Sequence, residues 1–366
     1  MLWATKGPTA PETVEIFARS RAMAEKSGNL SQLALEVGVN SVAVFAAGDY
    51  AGAASLADQA LDLARREGSD TCLRLAHEAQ FVVRYSRGDL VGAEEHFTRW
   101  RGICEVSGFG PFPALTTLGF AYGGYCAWAL GLSDKARERM AKASAFAHDS
   151  KSPYEIPQAL AWESAMYTSL REPERAEDAA TRALALCEEC GFLYMAEVAR
   201  VYLGWARAQL GCAGEGVALL RRGVAGLIEL KTKAGITAQL TYLAEAQALD
   251  GALVDALVTI ENALEANPDE AVTRPDAFTL RGELQLKIGK RELAEADFRE
   301  AIALAQRTSA KIMELRATMS LARLLDKQGK RDEARAMLAE IYNWFTEGFD
   351  TADLKDAKAL LDQLNA

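Results

Sequence analysis

Apolar side chains return at i, i+3, i+4 and i+7 through ADQALDLARREG (57–68) and ADFREAIALAQRTS (296–309), the stripe of a helix that buries one face. No window alternates with a period of two for long enough to make a strand. One short pattern punctuates the helical windows: Gly, four residues, then Ala. GDYAGA begins at Gly48, GDLVGA at Gly88, GLSDKA at Gly131, GALVDA at Gly251, GKRELA at Gly289 and GKRDEA at Gly329; REPERA at Arg171 and GCAGEG at Gly211 are weaker copies. Successive starts lie 40, 43, 40, 40, 40, 38 and 40 residues apart. A fixed period of this size is the mark of stacked supersecondary units.

The physics of a helical hairpin accounts for the pattern. Glycine supplies the left-handed backbone that ends a first helix, the Asp or Ser after it caps the second, and small residues let the two helices approach. Seven residues before each turn stand Ser41, Phe81, Gly124, Ser164, Gly204, Ala244, Gly282 and Ala322. Twelve residues after each start, six of the eight positions are Ala or Gly; the others are Trp100 and Ile341. Phe81 is bulky, so the second hairpin is expected to splay or shift in register. The spacing predicts eight hairpins, with first helices near 30–47, 70–87, 113–130, 154–170, 193–210, 234–250, 274–288 and 310–328.

Terminal units of such a stack have one face without a neighbour and must differ from the middle. At the C-terminus, Tyr342, Trp344 and Phe345 finish the last hairpin and Gly348 breaks it. Asp350 is placed as N-cap of a closing helix with Asp353 at N3, and Phe349 with Leu354 forms a hydrophobic staple. Leu354, Ala357, Leu361 and Leu364 make the apolar stripe of that helix, and the aromatics read as a seal. At the other end, residues 11–28 read as a lone second helix, with MLWATKG as the tail of a first helix lying upstream. The organisation expected is a truncated hairpin over 1–28, an all-α solenoid of about eight repeats over 29–346, wound as a right-handed superhelix, and a capping helix over 347–366.

Composition narrows the function. The chain of 366 residues exceeds the size at which a single core stops growing, which agrees with a core extended along one axis. A net charge of -10 leaves no overall basic surface for nucleic acid. No apolar run suits a signal peptide or a membrane helix, so the chain is read as cytoplasmic. The six cysteines lack framework spacing, and the CxxC of Cys187 and Cys190 has no second pair beside it, so it reads as two small apolar residues one turn apart. His77, His96 and His148 are assigned to different hairpins, and no metal, cofactor or catalytic group is expected.

Nearly half of the aromatic residues lie between Phe109 and Trp205. Positions three, six and ten before a turn face the concave side of a helical-repeat superhelix and hold Trp128, Tyr125 and Trp205, with Trp162 and Tyr167 on the helix between. The matching region nearer the C-terminus is charged: Glu245, Glu283, Arg316 and Arg323. These nine residues are the candidate concave-face site for a peptide or small effector. The rings serve equally well as core, and the charges as a solvated face.

The small residue, the turn glycine, the Ala five later and the next small residue match the ~34-residue tetratricopeptide repeat, with longer helices here. LWATKGPTAPETVEIFARSRAMAE, LRATMSLARLLDKQGKRDEARAMLAEIY and NWFTEGFDTADLKDAKALLDQL resemble the start and end of the repeat region in bacterial signalling proteins. Those proteins join a class III adenylate or guanylate cyclase, or a LuxR-type DNA-binding domain, to an ATPase and then to repeats. The resemblance implies a non-catalytic sensing or regulatory arm that binds a protein, peptide or small effector and acts on upstream domains. No GxxxxGK[ST] phosphate loop occurs in the chain itself. A freestanding module for assembly or homodimerisation is the alternative.

Overall fold

The computed structural model describes residues 5–109, 113–150 and 152–365, which form eighteen helices and no strand. Helix α1 (Pro11–Ser27) precedes eight antiparallel pairs: α2 (Leu30–Ala46) with α3 (Tyr50–Glu67), α4 (Asp70–Ser86) with α5 (Leu90–Ser107), α6 (Pro113–Ala129) with α7 (Ser133–Asp149), and α8 (Glu155–Ser169) with α9 (Pro173–Cys190). The remaining pairs are α10 (Leu193–Gln209) with α11 (Ala213–Glu229), α12 (Ile236–Leu249) with α13 (Leu253–Ala266), α14 (Arg274–Lys287) with α15 (Arg291–Thr308), and α16 (Lys311–Lys327) with α17 (Arg331–Tyr342); α18 (Ala352–Asn365) closes the chain. The first helices line the inside of the coil and are the more deeply buried set.

The turns follow the repeat. Every turn glycine of the pattern has a positive φ, and the weaker copy puts Arg171 in the same left-handed region at φ 60°. Among the described residues, the residue after the turn glycine caps the second helix with its side chain at the first two hairpins, where Asp49 and Asp89 accept from the Gly52 and Gly92 amides at 2.8 and 3.0 Å.

The second hairpin is not splayed. Phe81 and Trp100 meet edge to face with centroids 5.8 Å apart, and the pair of helices is as closely joined as its neighbours. The excess volume is taken up on the next hairpin. Gly119 lies under Trp100 and Gly123 under Phe97, so that a Cβ on Gly123 would fall 2.1 Å from the Phe97 ring.

The coil closes on itself, which the repeat pattern does not show. Each of the first turns docks against the hairpin five units later. Thr9, beside the turn at Gly7, donates to the Leu230 carbonyl. At the next level the Lys233 amide donates to the Ala46 carbonyl at 2.9 Å and the Asn267 amide group to the Gly48 carbonyl at 2.9 Å. Gly88 packs on Ala271 and Thr308, and the Val272 amide donates to the Ser86 carbonyl. Gly131 lies under the rings of Trp344 and Phe345, and Arg171 pairs with Asp353 and Asp356 of α18.

The Trp344 and Phe345 rings therefore clasp the eighth hairpin to the third, in place of the seal expected of the C-terminal aromatics. Phe345 is 4 % exposed, while Trp344 and Phe349 remain 43 % and 50 % exposed. Glu347 caps α7 from across the coil, accepting from the Asp134 and Lys135 amides at 2.9 and 3.1 Å, and Asp350 pairs with Arg137. The cap and staple expected around Asp350 are replaced: α18 begins at Ala352, Asp353 is buried in ion pairs, and the Phe349 ring meets Tyr342. At the N-terminus α1 packs on α2. The first four residues of MLWATKG lie outside the described residues, and Thr5 and Lys6 are helical.

Two outcomes test this packing. Gly123→Ala adds helix propensity of about 1 kcal/mol, but Phe97 is held by Phe81, Trp100 and Arg139 and cannot swing aside. The clash wins, and denaturant melts should show a net loss of about 1–3 kcal/mol, partly recovered by adding Phe97→Leu. Phe345→Ala should cost about 3 kcal/mol. By hydrogen exchange the Asp134 and Lys135 amides should open faster, although they lie more than two hundred residues earlier.

Candidate functional site

Closure turns the concave face into an interior channel. Its wider end, about 460 Å³, is lined from α6, α8, α10, α12, α14, α16 and α18; a narrower end, about 110 Å³, lies among the aromatics of α4, α6, α8, α10 and α12. The two share Trp128, Ser169, Thr241, Tyr242 and Asp276 as a common wall.

The narrow end is built from a register of the repeat. Nine residues before the turn, four successive hairpins carry Tyr122, Trp162, Tyr202 and Tyr242. Their rings pack across helices, Tyr122 on Trp162 at 6.0 Å and Tyr202 on Tyr242 at 6.2 Å. Tyr125 donates to the Trp162 carbonyl at 2.7 Å. The hydroxyls of Tyr85, Tyr122, Tyr202 and Tyr242 have no hydrogen-bond partner among the described residues, and burial raises the pKa of each. The indole Nε1 atoms of Trp128 and Trp162 are likewise unpartnered.

The wide end is charged. Arg316 holds Asp353 in a two-point pair at 2.9 and 3.0 Å, donates to the Ser169 carbonyl at 2.7 Å, reaches Asp276 at 3.4 Å and lies over the Trp128 ring at 5.2 Å. Burial alone would lower its pKa; Asp353 and Asp276 outweigh that and raise it above the ordinary guanidinium value. Glu245 accepts from Trp205 Nε1 at 3.0 Å and Gln209 Nε2 at 2.8 Å. Its pKa is raised, first by burial, against those two hydrogen bonds. Ser320 donates to Glu283 at 2.8 Å.

Of the nine residues the sequence singled out, Tyr125, Trp128, Trp162, Trp205, Glu245, Glu283, Arg316 and Arg323 line this channel. The large rings are core and wall at once. Tyr167 does not line it: its hydroxyl donates to Glu163 and Arg175 stacks on its ring at 4.1 Å. Sequence reasoning missed the tyrosine ladder, which the register nine before the turn would have exposed. It also missed Arg171, Asp353 and Asp356, which no local pattern assigns to the channel.

The histidines were also misplaced. His77 on α4 and His96 on α5 share one hairpin, their Nδ1 atoms 2.9 Å apart, and burial pulls each down to about 4, so both are neutral at physiological pH. Among the described residues no group of three or more His, Cys, Asp or Glu could hold a metal ion. The six cysteines are free. Cys187 is buried, with its thiol pushed up to about 12, and Cys190 is exposed. No helix among the described residues is long and apolar enough to cross a membrane.

The fold is that of tetratricopeptide-like solenoids. Solved structures similar to it include NprR in complex with its cognate peptide NprX, at 14% identity over 78% of this chain and 80% of that chain with a TM-score of 0.54. A Rap protein complexed with Competence and Sporulation Factor matches at 12% identity over 92% and 97%, with a TM-score of 0.59. The Cut9 and Hcn1 hetero-tetramer of the APC/C matches at 15% identity over 97% of this chain and 60% of that chain, with a TM-score of 0.57. At these identities the likeness is one of fold. No family model and no curated protein matches the chain.

One carboxylate couples the channel to the closure. Glu270 accepts from Tyr50 at 3.3 Å, Thr273 at 3.0 Å and the Thr237 amide at 3.3 Å, and Tyr50 accepts from the Gly235 amide across the coil. Burial pushes Glu270 up to about 7 against those hydrogen bonds. A carboxyl with a raised folded pKa binds its proton more tightly in the folded state, so the folded chain loses stability as pH rises from about 4.5 through about 7. Urea melts across that window should show the wild type falling by roughly 3 kcal/mol relative to Glu270→Gln, with the two curves parallel above it.

Proposed function

We propose that the chain is a non-catalytic receptor scaffold whose closed channel takes a short peptide or protein segment and passes its presence to a partner or output domain. The observation that carries this reading is the channel itself. It exists only because the coil closes, draws its walls from hairpins two to eight and the closing helix, and pairs a deep aromatic end with a charged one. Pre-formed concavities with a few polar groups among apolar walls are the usual form of a binding site.

Among the described residues its lining holds no histidine, cysteine or lysine, and its hydroxyl groups have no such base beside them, which favours recognition over nucleophilic chemistry. The complex of NprR with its cognate peptide NprX, solved on the same kind of coil, supports the choice of a peptide ligand. The resemblance to the repeat regions of cyclase–ATPase and LuxR-type proteins supports the further reading that the channel is the sensing arm of a larger signalling protein.

The test is to block the channel without touching its charges. Ala238 is half-buried on the wall of the narrow end, and Ala238→Phe fills that end. A displayed peptide library sorted on the wild type should yield binders that lose at least about tenfold in affinity on the blocked variant, with an unchanged melting midpoint. Binders that hold equally well to the blocked variant would place recognition on the outer surface and overturn the reading.

A further inference from the structure

The charges of the wide end do not balance. Five carboxylates, from Glu245, Asp276, Glu283, Asp353 and Asp356, face three guanidiniums, from Arg171, Arg316 and Arg323. Arg171 and Arg316 are committed to Asp353, Asp356 and Asp276. Arg323 makes no ion pair among the described residues, so it lies beyond 4 Å from every carboxylate oxygen described. Glu245 and Glu283 are left with neutral donors alone: an indole, an amide and a serine hydroxyl.

Both stand six residues before their turns on neighbouring first helices, Glu245 half-buried and Glu283 exposed at the rim, and burial first and the Glu283 charge after it raise the pKa of Glu245. Trp205, at the same position one hairpin earlier, and Tyr242 flank them, with ring centroids 6.4 Å apart. Carboxylates beside electron-rich ring faces suit an ammonium or guanidinium better than a metal ion.

A second, independent set of observations marks this end as a ligand site. Thr168 and Trp128 line it and are 3 % and 4 % exposed, yet Thr168 Oγ1 and Trp128 Nε1 have no partner. Buried donors are left unsatisfied at a cost of about 1–3 kcal/mol each, and a bound carbonyl would satisfy them. Beyond Trp128 begins the narrow end, mainly aromatic in its walls, with Glu270 and Asp276 at one side and four unpartnered tyrosine hydroxyls at its edge.

We propose that the channel recognises a ligand with a cationic group next to an apolar or aromatic one. The ammonium or guanidinium lodges against Glu245 and Glu283, a carbonyl accepts from Trp128, and the apolar group fills the tyrosine-lined end. The inference rests on the channel being the binding site. It adds the ligand's chemistry, which a basic peptide or a free aryl or alkyl amine could supply.

The experiment sorts a displayed library of random hexapeptides on the full chain, on Ala238→Phe and on Glu245→Gln/Glu283→Gln. The double variant keeps one acceptor oxygen for Trp205 and one for Ser320 and removes both charges; the Gln209 side chain, which loses its acceptor, can turn its own amide oxygen to the new NH2 group. Lys or Arg beside an aromatic or branched apolar residue should be enriched about tenfold or more on the wild type, with the cationic preference lost and the apolar one kept on the double variant. Tryptophan-fluorescence titrations with spermidine and phenethylamine form the second arm. Amine binding abolished by the double variant, without peptide enrichment, assigns the chemistry to a small molecule and retires the peptide reading alone. Neutral or acidic peptides enriched in the channel would overturn the cationic inference and leave the channel reading standing. The same cationic preference on the double variant, or no binding in either arm, would overturn the inference too.

Discussion

The docking of each early turn against the hairpin five units later is the contact on which the rest of the structure depends. Within a hairpin and between neighbours, packing is local and repetitive, as one-dimensional stacks require. Closure adds a second direction of contact, and its consequences are chemical as well as mechanical. It draws first helices from opposite sides of the coil together, dehydrates their inner faces and so raises the pKa of Glu245, Glu270 and Asp276. It also delivers Asp353 to Arg171, an ion pair that no pair of adjacent hairpins could build.

What the sequence made legible was everything with a local cause. A glycine in the left-handed region, an alanine five residues on and a small residue where helices cross each leave a mark that recurs at the repeat period, so the hairpins and their limits could be read to within a few residues. The inward positions three and six before the turn were legible for the same reason and placed most of the channel residues. Tyr167 failed because it belongs to neither register, and its ring is held by Arg175 on the neighbouring helix. Phe81 misled because its compensation, Gly119 and Gly123, lies in the next repeat.

The pitch of the coil was not legible, and this explains the remaining errors together. How many hairpins make one revolution depends on small crossing angles summed over hundreds of residues, which no window of sequence encodes. Without the pitch, Trp344 and Phe345 look like a cover for one unit and Asp353 like an N3 residue in the first turn of the closing helix. With it, they are a clasp and a channel wall. The histidine pair was a simpler failure: α4 and α5 are one hairpin, and residues nineteen apart across a turn face each other.

Closure also sets a limit that open solenoids escape. In an open stack a unit can be duplicated or lost and the remainder still fits, because each unit needs only a compatible neighbour. Here Gly48 has an address on Lys233 and Asn267, Gly88 on Ala271 and Thr308, and Gly131 on Lys311 and the clasp. Inserting one repeat between hairpins two and five would leave every neighbour content and send each turn to the wrong address. The number of repeats is therefore a fixed part of the design, as strand number is in a closed barrel.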